Sequence, residues 1–219
     1  MTTQQTLYKQ TNKNRLGEMG ELAPNTFQSF VNFNKHALAA GHLSAKLKEL
    51  ISVAVAHTTG CAYCIDTHVK QAKALGMTKE EMAEVIMIAT ALKAGSALAH
   101  GVNALNAYDQ IEDEELYKAS YINRMSEFLE INEETFKAFL TFDKQAMRRG
   151  LLSVKEKELI AIAVAHTTGC PYCIDGHVKG AKRAKATKEE IAESIMVATA
   201  LKAGSALAHG VNALESYGH

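Results

Sequence analysis

An all-α fold follows from three observations on the sequence. The 219 residues include only two prolines, Pro24 and Pro171. Strand-like alternation is nearly absent, and alanine, leucine, lysine and glutamate, which favour helix, dominate. Third, helical patterning recurs with a fixed offset of 109 residues: HTTGCAYCIDTHVK from His57 to Lys70 returns as HTTGCPYCIDGHVK from His166 to Lys179. Between Leu43–Tyr108 and Leu152–Tyr217, 50 of 66 positions are identical. The period is too long for a solenoid. It reads as tandem duplication of a ~110-residue unit, an ordinary domain size. The expected organisation is two helical-bundle repeats, residues 1–110 and 111–219, packed as a pseudo-symmetric pair. The boundary falls at residues 110–120, near the acidic stretch Glu112–Glu115. The first dozen residues are polar and read as a loose arm.

Element by element, Asn25 to about Ala40 is predicted as the first helix, with Phe27, Phe30, Val31 and Phe33 on an apolar side and Gly41 as its stop. Ser44 caps a helix through Thr58, in which Leu47, Leu50, Ile51, Ala54 and Val55 keep helical spacing. Gly60 ends it. The next helix begins at the cysteine pair and runs to about Leu75. Thr78 and Glu81 form a capping box that opens a long helix to Tyr108, with Gly95–Ser96 as a point where it could break. The second repeat copies the scheme over Glu134–Met147, Ser153–Thr167, Cys170–Ala184 and Thr187–Tyr217. The segment Ile86–Ala104 is nearly all small or aliphatic, and a helix apolar most of the way round must be covered on several sides. We expect it to pack against the other repeat and against other chains, so that the protein is a homo-oligomer; a central helix buried within one repeat is the alternative.

Formal charge is zero, with 24 basic and 24 acidic residues. The basic stripe of a nucleic-acid binder is missing. No stretch is read as the ~18 apolar residues of a membrane span, and the polar N-terminus lacks the apolar centre of a secretory signal. A cytoplasmic setting follows, and there paired cysteines are more often redox-active or metal-binding than structural.

All four cysteines lie in the duplicated stretches, as Cys61/Cys64 and Cys170/Cys173, each pair followed four residues later by His68 or His177. Pro171 locates a helix start, because proline suits the first helical position. Cys170 is then the N-cap and Cys173 the third helical residue. Both sulfurs lie near unpaired N–H groups and the positive end of the helix dipole, which lowers a thiol pKa from ~8.5 toward neutrality. His68 and His177, one turn further on, share the face of Cys64 and Cys173. Glu49 and Glu158 precede the first cysteines by twelve residues, on a helix the glycine turn folds back alongside, where a carboxylate can orient an imidazole or accept a proton.

Other readings compete. A structural C-x-x-C bridge closes too short a ring to remove much unfolded-state entropy. Cys, Cys and His with His57 or Glu49 offer a zinc donor set, although the distant second pair of common zinc sites is missing. Glu49 could be a solvated helix residue. His57 and its copy His166 read first as satisfied core histidines and second as pocket residues. His100 and His209 receive no role, and Tyr63 and Tyr172 shield the cysteines.

The constellation Glu49–x11–Cys61–x2–Cys64–x3–His68, repeated as Glu158–x11–Cys170–x2–Cys173–x3–His177, resembles the AhpD-like alkylhydroperoxidase family within the carboxymuconolactone decarboxylase superfamily. The resemblance spans most of both repeats. It implies an all-α bundle that reduces organic hydroperoxides or hydrogen peroxide through a dithiol. The attacking thiols correspond to Cys64 and Cys173, and Cys61 and Cys170 close the disulfide. Glu49 with His68, and Glu158 with His177, would form the proton relay. The resemblance implies no metal, haem or other cofactor, and a lipoyl-bearing protein or similar dithiol as reductant. Single-repeat relatives resemble hexamers, so a tandem chain is expected as a trimer. Tyr63 and Tyr172 stand where AhpD proper has a histidine. Tyrosine, with pKa ~10, is no base near neutrality, so the relay is shorter. Decarboxylases of the superfamily lack the cysteine pair, and the βαβ setting that the Cys-Pro-Tyr-Cys of a glutaredoxin needs is absent. The expected function is a thiol-dependent peroxidase with two sites per chain; the alternatives are a general disulfide reductase or redox sensor, and a zinc-binding structural module.

Overall fold

The computed structural model of the chain describes residues 8–218. Those residues form ten α-helices and two 3-10 turns, with no strand among them. A 3-10 turn Gln10–Arg15 leads into α1 (Leu16–Leu22), α2 (Pro24–Leu38), α3 (Ala45–Thr59), α4 (Ala62–Ala74) and α5 (Lys79–Tyr108). A second turn, Ala119–Arg124, leads into α6 (Met125–Ile131), α7 (Glu133–Met147), α8 (Val154–Thr168), α9 (Pro171–Arg183) and α10 (Lys188–Tyr217). The predicted helices are present, with their caps. Ser44 Oγ accepts from the Leu47 N–H, and Thr78 and Glu81 make the reciprocal capping box.

Three expectations about the elements are corrected. Residues 1–7 of the loose arm lie outside the described residues, but Gln10–Arg15 is ordered as a turn and Tyr8 packs its ring on Tyr63. The reason is that the repeat extends to this segment at the same offset of 109: Tyr8, Lys9, Asn14, Arg15, Glu18 and Glu21 recur as Tyr117, Lys118, Asn123, Arg124, Glu127 and Glu130. These segments build the unforeseen helices α1 and α6. Gly41 does not stop α2, which ends at Leu38. A side chain at Gly41 would collide with the Glu193 carboxylate, so glycine stands there for close approach. Nor does α5 break at Gly95. That glycine lies within a continuous helix and faces the Phe139 ring of α7, as Gly204 faces Phe30.

The core is built where two helices are apolar all round. In α3, Ile51, Val53, Ala54 and Val55 are fully buried; in α8, Ile160, Ile162 and Val164 are. Each of these valine and isoleucine side chains contributes about 1.5–3 kcal/mol on burial. The two helices pack on each other, and α5 and α10 each pack on both. The outer helices are exchanged: α2 of the first repeat lies on α10, and α7 of the second lies on α5. The expectation that Ile86–Ala104 packs against the other repeat therefore holds.

Reciprocal ion pairs fasten the exchange. Lys48, 3% exposed, bonds the Ala39 carbonyl and lies 2.9 Å from Glu193; Lys157 bonds the Ala146 carbonyl and lies 3.0 Å from Glu84. Each glutamate also accepts two loop N–H groups, His42 and Leu43 for Glu193, Leu151 and Leu152 for Glu84. Burial alone would raise the Glu193 pKa, but these N–H donors and Lys48 outweigh it and hold the carboxyl at about 2.

The outer face of α5 carries Ala83, Met87, Thr90, Ala94, Ala97 and Ala104 in the open; α10 repeats it. Both long helices contain an 18-residue window with mean hydropathy of 1.5 and 1.3, long and apolar enough to cross a membrane by length and composition. This corrects the reading that no stretch approaches a span. In this fold both helices pack on α3 and α8.

Candidate disulfide active site

Gly60 takes a left-handed φ of 70° and Gly169 one of 74°, so each glycine ends its helix and reverses the chain. That reversal lays α4 along α3 and α9 along α8. Cys61 and Cys170 are the N-caps of α4 and α9, their Sγ atoms each accepting the N–H of Cys64 or Cys173 at 3.2 Å. Pro171 is the first residue of α9, as predicted. Each pair is joined as a disulfide, Cys61–Cys64 and Cys170–Cys173.

His68 and His177 stand one turn beyond the second cysteine. His68 Nδ1 lies 2.8 Å from Glu49 Oε2, and His177 Nδ1 lies 2.8 Å from Glu158 Oε2. Glu49 is buried, which removes its reading as a solvated residue. A carboxylate at Nδ1 assigns the proton to that nitrogen and leaves Nε2 able to accept another. Cys64 and His68 line one small cavity of about 130 Å³ with Phe30, Asn34, Leu201 and Ala208. Leu201 and Ala208 belong to α10, so the second repeat closes the first repeat's site.

His57 and His166 take no part in this constellation. Their Nδ1 atoms each lie 2.8 Å from a carbonyl of their own helix, Val53 or Ile162. Tyr63 is buried, and its hydroxyl donates to Asn212 of α10 at 3.0 Å; Tyr172 reaches Asn103 of α5 at 3.5 Å. Tyr8 packs on Tyr63 and Tyr117 on Tyr172, with His209 and His100 edge-on behind them. Burial, with Tyr117 beside it, pushes the Tyr172 phenol up. What sequence reasoning missed is that His100, Asn103, His209 and Asn212 stand beside the tyrosines; the signal was the i, i+3 pair in the duplicated His-Gly-Val-Asn.

The two sites differ at four points. Lys13 bonds Asp66 at 2.6 Å and Thr67 at 2.9 Å across α4, whereas the second repeat has Ile122, Asp175 and Gly176 at those positions. Gln71 can turn its amide nitrogen to 3.3 Å from both Glu49 oxygens; its counterpart is Gly180. Asn34 of the cavity is replaced by Asp143, whose pKa burial raises; Glu158 adds to the rise and His177 opposes it. The His177 side chain is 22% exposed, against 11% for His68. Among the described residues no three His, Cys, Asp or Glu side chains are grouped to hold a metal ion.

Fold and site together define a duplicated helical disulfide protein in which a Glu–His pair attends each Cys-x-x-Cys. The chain belongs to the carboxymuconolactone decarboxylase family, whose sequence model matches residues 24–107 and again 133–216. It is 53% identical over 77 residues to uncharacterized protein 4 in cox locus of Paracoccus denitrificans, covering 35% of this chain and 69% of that protein. Uncharacterized proteins of Cupriavidus necator (33% over 97 residues) and Haemophilus influenzae (38% over 96 residues) each match 44% of this chain and 86% and 85% of their own lengths. Each of these relatives thus corresponds in length to one repeat. A solved structure from Burkholderia xenovorans, described as a candidate gamma-carboxymuconolactone decarboxylase subunit, shares the fold at a TM-score of 0.70 and 22% identity, over 97% of this chain and 98% of that one.

Proposed function

We propose that the protein is an oxidoreductase, a thiol-dependent peroxidase with two sites per chain working in a reducing, cytoplasmic compartment. The observation that carries this reading is the shared cavity of Cys64 and His68, with His68 held by buried Glu49. In the reduced state the Cys64 thiolate attacks the outer peroxide oxygen. The O–O bond breaks, Cys64 becomes a sulfenic acid, and the departing alkoxide takes from His68 Nε2 the proton that the Cys64 thiol had given it. The Cys61 thiol then displaces water from that sulfenic acid and the disulfide closes. Cys173, His177 and Cys170 do the same in the second repeat. An external dithiol, such as a lipoyl-type protein, returns two electrons and two protons by thiol–disulfide exchange. The apolar lining from Phe30, Leu201 and Ala208 suits the carbon end of a small organic hydroperoxide.

The test is peroxide consumption with a dithiol donor by the Cys64→Ser/Cys173→Ser protein. Turnover at the wild-type rate rejects the reading. Slow thiol loss with peroxide but fast exchange with protein disulfides would favour a general disulfide reductase instead. The uncovered stripe Ala83, Met87, Thr90, Ala94 and Ala97, repeated on α10, supports self-association of the two-repeat chain as a trimer, which sedimentation measures directly.

A further inference from the structure

A cavity of about 540 Å³ lies on the far side of Glu158, away from the cysteines. The start of α8 supplies Ser153, Val154 and Lys155; the end of α9 supplies Gly180, Arg183 and Ala184; Arg149 comes from the loop before α8. Three cations therefore line one space. Lys155 is engaged by Glu190 at 2.7 Å. Arg149 and Arg183 have no ion pair or side-chain hydrogen bond among the described residues. The one carboxylate in the lining, Glu158, is committed to His177.

The first repeat supplies an internal control. In a pair of sequences identical at 50 of 66 positions, Arg183 stands where the first copy has Ala74, and Gly180 where it has Gln71. Arg149, just before that stretch, stands where it has Ala40. Three changes thus converge on one cavity. The glycine matters as much as the arginines. A Cβ at position 180 would press into the Glu158 carboxylate, whereas in the first copy the Gln71 amide reaches both Glu49 oxygens. In the second copy the glutamate lines a cavity that it shares with two arginines.

We propose that this cavity binds a small oxyanion, a carboxylate or a phosphate, between Arg149 and Arg183, and that the bound anion sets the reactivity of the second cysteine pair alone. Guanidinium forks match the paired oxygens of both groups. An anion there adds negative charge beside Glu158, which holds His177 at 2.8 Å, and so acts on the pair that attends Cys173. The first site, with Ala40, Gln71 and Ala74, receives no such signal. This goes beyond the peroxidase reading, since it requires only that Cys173 be a titrating thiol once reduced.

The experiment uses the full chain and two probes, inorganic phosphate and succinate, each titrated by calorimetry against sodium chloride of equal ionic strength. One saturable site per chain is expected, weakened about tenfold or more in Arg149→Ala/Arg183→Ala protein, a variant that restores first-repeat residues. The probe that binds tighter identifies the anion class. In parallel, alkylation of the reduced protein is followed by mass spectrometry at Cys64 and Cys173. The anion should change the Cys173 rate at least about twofold and leave Cys64 unchanged, and the arginine variant should lose the response. No saturable binding of either probe, or binding unchanged by the variant, overturns the site. Binding without a selective effect at Cys173 overturns the coupling. Neither readout uses a peroxide, so failure here and failure of the peroxidase reading are separately visible.

Discussion

The first disulfide site is closed and the second is open, although they are built from nearly the same residues. Over the first, Lys13 spans Asp66 and Thr67, and Tyr63 is buried beneath Tyr8. Over the second, Ile122 and Gly176 replace the lysine and its threonine partner, Cys173 and Tyr172 are half-buried, and His177 is twice as exposed as His68. Yet the Glu–His distance is 2.8 Å in both. The difference teaches that the Glu–His pair is fixed by the α3–α4 and α8–α9 turns, whereas exposure is set by the segments laid over them. These can vary without disturbing the chemistry beneath.

The largest effect should come from the sulfur itself. After one equivalent of hydroperoxide per site, two per chain, mass spectrometry should find two hydrogens lost from each reduced repeat. Cys64→Ser should abolish the loss in the first repeat only, and Cys173→Ser in the second only. Loss persisting in a serine repeat would break the symmetry of roles.

Next in size are Glu49→Gln and Glu158→Gln. Each should slow thiol oxidation at its own site by about 10²-fold or more, if the pair works as a proton relay. Stopped-flow thiol loss measures this, and a change below twofold at both sites would reduce the glutamates to structural partners.

Glu193→Gln leaves the buried Lys48 without its counter-charge and should cost about 2–3 kcal/mol in denaturant unfolding. Because the Glu193 pKa is depressed, its contribution is present above the ordinary carboxylate range and is lost only as pH falls through about 2. The deficit of the variant should therefore persist through mildly acid buffers.

Lys13→Ile, which installs the second repeat's residue, should raise the alkylation rate of reduced Cys64 a few-fold, toward that of Cys173, with no change at Cys173. An unaltered Cys64 rate would mean that the lysine bridge does not control access.

The smallest expected effect is at Asp143. Its raised pKa means the folded state holds the proton more tightly than the unfolded state. That favourable contribution is complete below the ordinary aspartate value of about 3.9 and is lost as pH rises through the folded value. Asp143→Asn should therefore melt higher than wild type at neutral pH, with the gap closing in acid. Asn34→Asp should do the reverse at the first site.

Much of this site could be read in advance because its determinants are local. The cysteine N-caps, the glycine reversals and the His one turn beyond Cys64 all follow from spacing within about twenty residues of chain. Glu49 is legible for the same reason, since one tight turn returns its helix to α4. What escaped is long-range. Nothing near Lys48 announces that Glu193, in the other repeat, will neutralise it. Gly41 looked like punctuation because the group pressed against it, Glu193, is remote in sequence, and so is Phe139, which faces Gly95. The helices α1 and α6 are only seven residues each and carry a diluted copy of the repeat, too weak in apolar periodicity to stand out.

The roof of each site is the long helix of the other half. In a one-repeat ancestor, a second molecule would have had to bring that helix, and every mutation would have struck both sites at once. Joining the halves end to end lifts this constraint. One lobe can then drift toward a new regulator or reactant while its twin keeps the old trade, and the divergence at Gly180, Arg183 and Lys13 records that freedom.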